Sequence, residues 1–161
     1  MSDELKEYKD GIEKLFDEKS NLPIGNSQPA HAAALYDLFF RKTKSEVFIF
    51  CERLASFVFA MPDVRQSMQG ALARGVTIHV LLQNKDHECP DLEGLKKCGK
   101  LIVKTASPAQ AVLPMNFCVV DGFAYRFEKD KAQPVAFAKM YAPEEAHRLH
   151  DAFQEMWAKA A

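Results

Sequence analysis

Three short apolar runs separated by helical segments constrain this chain more than any other feature of it. Glu46-Val47-Phe48-Ile49-Phe50-Cys51 is brief and rich in β-branched and aromatic residues, the pattern of a strand buried on both faces. Val76 to Leu82 and Leu101 to Lys104 read the same way. A helix fits each gap. Asp63 can cap the first, which ends near Arg74 before Gly75; the second is short, from Asp91 to Cys98, and closes at Gly99. Strands that alternate with helices pair in parallel through right-handed crossovers. The second half changes rhythm: Asn116 to Val120 and Ala124 to Glu128 flank Asp121-Gly122, a hairpin signal. Val135 to Met140 reads as a further strand. Pro143 opens a long closing helix with Ala146, Leu149, Phe153, Met156 and Trp157 on one face. The predicted fold class is α/β, a mixed and partly parallel sheet with helices on both faces.

Ahead of these elements, Leu5, Tyr8, Ile12, Leu15 and Phe16 recur at helical spacing and make Asp3 to Lys19 an amphipathic helix. Asn21 to Gln28 holds Pro23, Gly25, Asn26 and Ser27 and reads as a linker. Ser27 is placed to cap a second helix with Pro29 in its first turn, running to about Thr43 with Leu35, Leu38 and Phe39 inward. The expected organisation is an N-terminal helix over residues 1–20, a linker over 21–28 and one α/β domain over 29–161.

Composition narrows the function classes. A chain of 161 residues fits one domain, and 48 % hydrophobic with 27 % charged residues is a globular balance. The formal net charge of -1 lacks the excess of Lys and Arg that a dedicated nucleic-acid binder uses to neutralise phosphates. No run of about 18 apolar residues suits a membrane span. The opening Ser2-Asp3-Glu4-Leu5-Lys6-Glu7 is unlike a signal peptide, so cytoplasm is the expected compartment. Cys51, Cys89, Cys98 and Cys118 include no Cys-x-x-Cys pair, and reduced thiols are expected.

Several strings then resemble one family. Ala73-Arg74-Gly75-Val76-Thr77-Ile78-His79-Val80-Leu81-Leu82 is similar to the helix-to-strand segment of the phospholipase D-like superfamily. Phe117-Cys118-Val119-Val120-Asp121-Gly122 resembles the strand and turn that hold its catalytic motif, and Phe153-Gln154-Glu155-Met156-Trp157 resembles its last helix. The similarity spans about Pro29 to Lys159. The family motif is His-x-Lys, four residues, then Asp; the His attacks phosphorus and the Lys neutralises phosphate oxygens. With Asp121 in the Asp position, Asn116 stands for the Lys and Pro114 for the His. Neither can do the work of the residue it replaces. None of His31, His79, His87, His147 and His150 has a Lys two residues later, and Ala136-Phe137-Ala138-Lys139 stands where the downstream Gly-Ser and Asn are expected. The resemblance thus implies the fold without the usual chemistry.

Alternation puts Asn116, Cys118 and Val120 on one strand face, which by the resemblance looks into the former active-site cleft. Asn116, Cys118, Asp121, Arg126, Glu128 and Lys139 form the candidate relic-cleft set, with Cys51, Glu52, Gln83 and Asn84 at neighbouring strand ends. These groups either bind a polar ligand or satisfy one another's hydrogen bonds. His87, Cys89 and Cys98 match no standard zinc spacing. Glu144 and His147 are three apart, as in carboxylate-bridged metal sites, but lack the second Glu-x-x-His such sites need; His150 reads as a packing residue. No catalytic residue, metal or cofactor is assigned. Arg41, Lys42 and Lys44 form one basic cluster and Lys96, Lys97, Lys100 and Lys104 another, which are either solvated surface or a phosphate-backbone contact.

The expected function is a non-catalytic phospholipase D-like domain acting as a binding, scaffolding or regulatory subunit. Family members with one motif per chain often pair, so a protein partner in a homodimer or heterodimer is expected, and the N-terminal helix can add a contact. One alternative is a phosphodiesterase or nuclease-like enzyme that has repurposed cleft residues such as Cys118, Glu128 or Lys139. The other is a nucleic-acid-binding domain without catalysis.

Overall fold

The computed structural model describes residues 2–26, 28–52, 56–84, 92–130 and 136–161. In chain order the elements are α1 (Asp3–Asp17), β1 (Ile24–Asn26), α2 (Pro29–Lys42), β2 (Glu46–Cys51), α3 (Ser56–Phe59), α4 (Pro62–Ala73), β3 (Thr77–Leu82), α5 (Glu93–Lys96), β4 (Leu101–Thr105), α6 (Pro108–Ala111), β5 (Asn116–Val120), β6 (Ala124–Glu128), β7 (Ala136–Lys139) and α7 (Pro143–Ala158). The strands form one sheet in the order β1-β7-β6-β5-β2-β3-β4. β2, β3 and β4 run parallel, and β5, β6, β7 and β1 extend the sheet antiparallel from β2. The expected mixed, partly parallel α/β sheet is what the chain forms.

Two cores follow from the alternation of side chains across the strands. Val47, Ile49, Cys118 and Val120 face one way and pack with Leu35, Leu38 and Phe39 of α2, Met68 of α4 and Ile12 of α1. Phe48, Phe50, Phe117, Val119 and Tyr125 face the other way, under Ala146, Phe153 and Met156 of α7. A sheet with helices on both faces must be apolar on both, which is why β2 reads as an unbroken apolar run.

Four local expectations are corrected. The 21–28 segment is no mere linker, because Ile24, Gly25 and Asn26 pair with Ala138, Phe137 and Ala136 at the sheet edge. α1 is not set apart: it lies on α2, with Ile12 only 3 % exposed and Tyr8 stacked on His31 at 4.0 Å. Gln28, not Ser27, is the N-cap of α2, and Ser27 lies outside the described residues. Met61, not Asp63, is the N-cap of α4, with Pro62 at the start and Asp63 in the first turn; proline loses nothing there, since that amide has no helical partner. The expected starts at Asp91 and Val135 also fall outside the described residues. Gly75 and Gly99 close their helices with positive φ of 92° and 78°.

Candidate functional site

The strand register decides which candidate residues meet. Asn116 lies opposite Glu128, and Cys118 opposite Arg126, so these four share one face of β5 and β6. That end of β5 adjoins the carboxyl end of β2, where the Glu52 amide donates to Asn116 Oδ1 at 3.2 Å. The Gln83 amide donates to the Cys51 carbonyl at 2.9 Å and the Asn84 amide to the Glu52 carbonyl at 3.1 Å. Gln83 Nε2 then donates to the carbonyls of Gln110 and Leu113, at 3.0 and 2.7 Å, and fixes the segment that leads into β5.

Behind Asn116 the site is closed. Cys118 is fully buried and Arg126 is 7 % exposed. Arg126 donates to Glu128 at 3.2 Å and lies 5.8 Å from the centre of the Tyr36 ring on α2. Tyr36 and the Cys118 thiol share a hydrogen bond. Burial pushes the Cys118 thiol up to about 11 and the Cys51 thiol up to about 12. Both are therefore thiols at neutral pH, without the thiolate that attacks an ester. Burial weighs against the Arg126 charge, and its neighbours Tyr36, Cys118 and Glu128 outweigh that effect. Tyr36 was missed in the sequence because Leu35, Leu38 and Phe39 already mark an inward stripe on α2. The helix is in fact buried on more of its circumference, Ala32 to Tyr36 included.

Two of the six candidates lie elsewhere. Asp121 sits at the opposite end of β5, in the hairpin turn, with φ at 51°. Its carboxylate accepts from Thr43 Oγ1, the amides of Lys44, Ser45 and Glu46, and Ser45 Oγ, all at 2.8 to 3.0 Å. Lys139 pairs in register with Tyr125 and so points to the α7 face, where it binds Glu145 at 2.8 Å. Tyr125 also donates to Glu145.

Three residues of the basic clusters are matched by acids. Arg41 binds Glu13 at 2.7 Å and Asp37 at 3.1 Å, and Lys42 binds Asp17 at 3.0 Å. Lys96 binds Glu93 at 3.1 Å. Lys104 lies over the Trp157 ring, 4.6 Å from its centre. Of the imagined zinc ligands, Cys98 is exposed, and His87 and Cys89 lie outside the described residues. Among the described residues no helix is long and apolar enough to cross a membrane.

No protein-family model matches the sequence, and no curated protein matches it. Solved structures do. Nuc, a phospholipase D family member from Salmonella typhimurium, aligns at 16 % identity with a TM-score of 0.62, covering 87 % of this chain and 97 % of Nuc. TrmBL2, an archaeal chromatin protein with a novel mode of DNA binding, aligns at 17 % identity and 0.65, covering 98 % of this chain and 63 % of its own. NucT from Helicobacter pylori aligns at 11 % identity and 0.60, covering 87 % and 99 %. The alignments cover nearly the whole length of Nuc and NucT, so the seven-stranded mixed sheet of this chain is a phospholipase D-like fold.

Proposed function

We propose that this chain is a non-catalytic phospholipase D-like domain that works by binding, as one subunit of a protein assembly. The observation that carries this reading is Asn116. It stands where the motif lysine belongs, and its side-chain oxygen is committed to the Glu52 amide. Two residues earlier is Pro114, which has no nucleophilic atom. Nothing around them supplies a replacement among the described residues: both nearby thiols are held protonated by burial, and Arg126 is paired with Glu128. Lys139 and Asp121 are directed away from this end. A phosphoryl-transfer site needs a nucleophile and a positive charge aimed at the reacting oxygens, and among the described residues this strand end offers neither.

The test is turnover of a generic phosphodiester, bis-p-nitrophenyl phosphate, by the whole chain, with light scattering to read its assembly state. Hydrolysis at the uncatalysed rate and a mass above that of one chain are expected. Turnover that disappears in Asn116→Ala would overturn the reading in favour of a repurposed enzyme. A strictly monomeric chain would remove support for self-pairing and leave a different protein as the partner.

DNA binding without catalysis is a second reading, favoured by the likeness to TrmBL2. The ion pairs that neutralise Arg41, Lys42 and Lys96 weigh against it. A duplex-binding affinity that falls steeply between about 50 and 200 mM salt would revive it.

A further inference from the structure

α7 carries a group of side chains that none of the preceding argument uses. His147 stands three residues before His150 and four before Asp151, so its side chain neighbours both on the helix surface. Their ligand-capable atoms all lie within 4.8 Å of one another. The two Asp151 oxygens divide between the two rings. Oδ2 faces His147 Nε2 at 3.5 Å, and Oδ1 faces His150 Nδ1 at 3.8 Å. Donor atoms about 2.0 to 2.2 Å from one tetrahedral ion stand roughly 3.4 Å apart, so only small side-chain rotations are needed to place all three on a single metal.

One of the three is already held in place. His150 is half-buried, with its ring against Phe48 at 4.8 Å in an edge arrangement. Its Nε2 lies 3.4 Å from the Gln154 side-chain amide. The atom it faces is the amide nitrogen, Gln154 Nε2, and the hydrogen-bond roles there follow the tautomer of the ring. His147 also lines a shallow depression with Gly122, Pro143, Glu144 and Arg148.

We propose that His147, His150 and Asp151 bind one divalent transition-metal ion on the exposed face of α7, with water completing the shell. Two imidazoles and one carboxylate suit Zn²⁺, Co²⁺, Ni²⁺ or Cu²⁺; magnesium and calcium prefer all-oxygen shells. The site lies on the helix that covers the face of the sheet opposite Cys118 and Arg126, so it is independent of the strand-end site. Three protein donors leave coordination open, as in sites that take an exogenous ligand rather than closed structural ones.

Zn²⁺ alone, titrated calorimetrically into the whole chain, tests the proposal, with Co²⁺ absorption as a second readout. One equivalent should bind saturably. His147→Ala and Asp151→Asn should each weaken binding about tenfold or more, since even outer-shell partners are worth that much. Both residues are exposed, at 72 % and 65 %, so neither variant should disturb the fold, and circular dichroism checks this. The Co²⁺ complex should lack a thiolate charge-transfer band, and Cys98→Ser should bind as the parent does. Absence of saturable Zn²⁺ binding, parental affinity in both α7 variants, or a thiolate band lost in Cys98→Ser would each overturn the assignment.

Discussion

At the scale of single residues, Asp121 shows how one carboxylate can anchor a turn. Five donors from the segment Thr43 to Glu46 converge on its carboxylate, tying the β5–β6 turn to the start of β2. Burial alone would raise its pKa. The amides of Glu46, Lys44 and Ser45 and the Thr43 hydroxyl outweigh burial and hold the carboxyl below its ordinary value. A depressed carboxyl pKa adds stability that is present above the unfolded value, near 3.9, and is lost as pH falls through the lower folded one. Asp121→Ala should therefore destabilise the fold by about 3 kcal/mol at neutral pH, because it strands several donors and puts a β-carbon without a polar tip at positive φ. Urea unfolding at pH 7 and pH 3 should show the gap between variant and parent narrowing in acid. A gap that stays constant with pH would assign the loss to backbone strain instead of the carboxylate.

Elements whose signal is periodic were legible, and elements that exist through pairing were not. β2 matches its sequence expectation residue for residue, because five consecutive apolar positions between helix signals leave one reading. The Asp121-Gly122 hairpin was equally plain, since both residues take the positive φ such a turn needs. β1 was illegible: Ile24, Gly25 and Asn26 become a strand only because β7 offers its edge. The four-residue helices α3 and α6 are too short to show a period. For the candidate site, alternation along one strand was enough to group Asn116 with Cys118, while Asp121 and Lys139, named through the family resemblance, lie apart from them in the fold. The same distinction governs α1. Amphipathicity predicted the helix but not what its apolar face meets, which is α2 and Phe123 of its own chain. Ile12→Ala should cost about 2 to 4 kcal/mol. Hydrogen exchange should show α1 amides opening with the sheet in the parent. Early exchange of α1 at full global stability would mean that the helix is an appendage free to engage a partner.

Over the whole molecule, the two faces of the sheet are secured differently. α1, α2 and α4 share one face, while α7 carries the helical cover of the other and the chain then bridges back, with Ala161 exchanging backbone bonds with Thr105. His79 lies against that second face. Its ring stacks on Phe48 at 5.3 Å and meets Trp157 edge-on at 5.0 Å, and its buried Nδ1 has no hydrogen-bond partner among the described residues. Burial lowers its pKa; Glu46 acts in the opposite direction and Lys104 adds to the lowering. A histidine whose folded pKa is depressed takes up its proton more readily when unfolded. Its contribution is therefore complete above the unfolded value, near 6.5, and drains away as pH falls toward the lower folded one. Stability should thus decline between neutral pH and mild acid, well before Asp121 is affected. His79→Phe keeps the ring contacts, removes the orphaned nitrogen and abolishes the titration. At pH 7.5 it should match or exceed the parent, by no more than about 1.5 kcal/mol. At pH 5.5 its advantage should widen, because only the parent pays for protonating a ring wedged between Phe48 and Trp157. Urea midpoints at the two pH values measure this directly, and equal pH slopes in parent and variant would place the acid sensitivity outside the α7 interface.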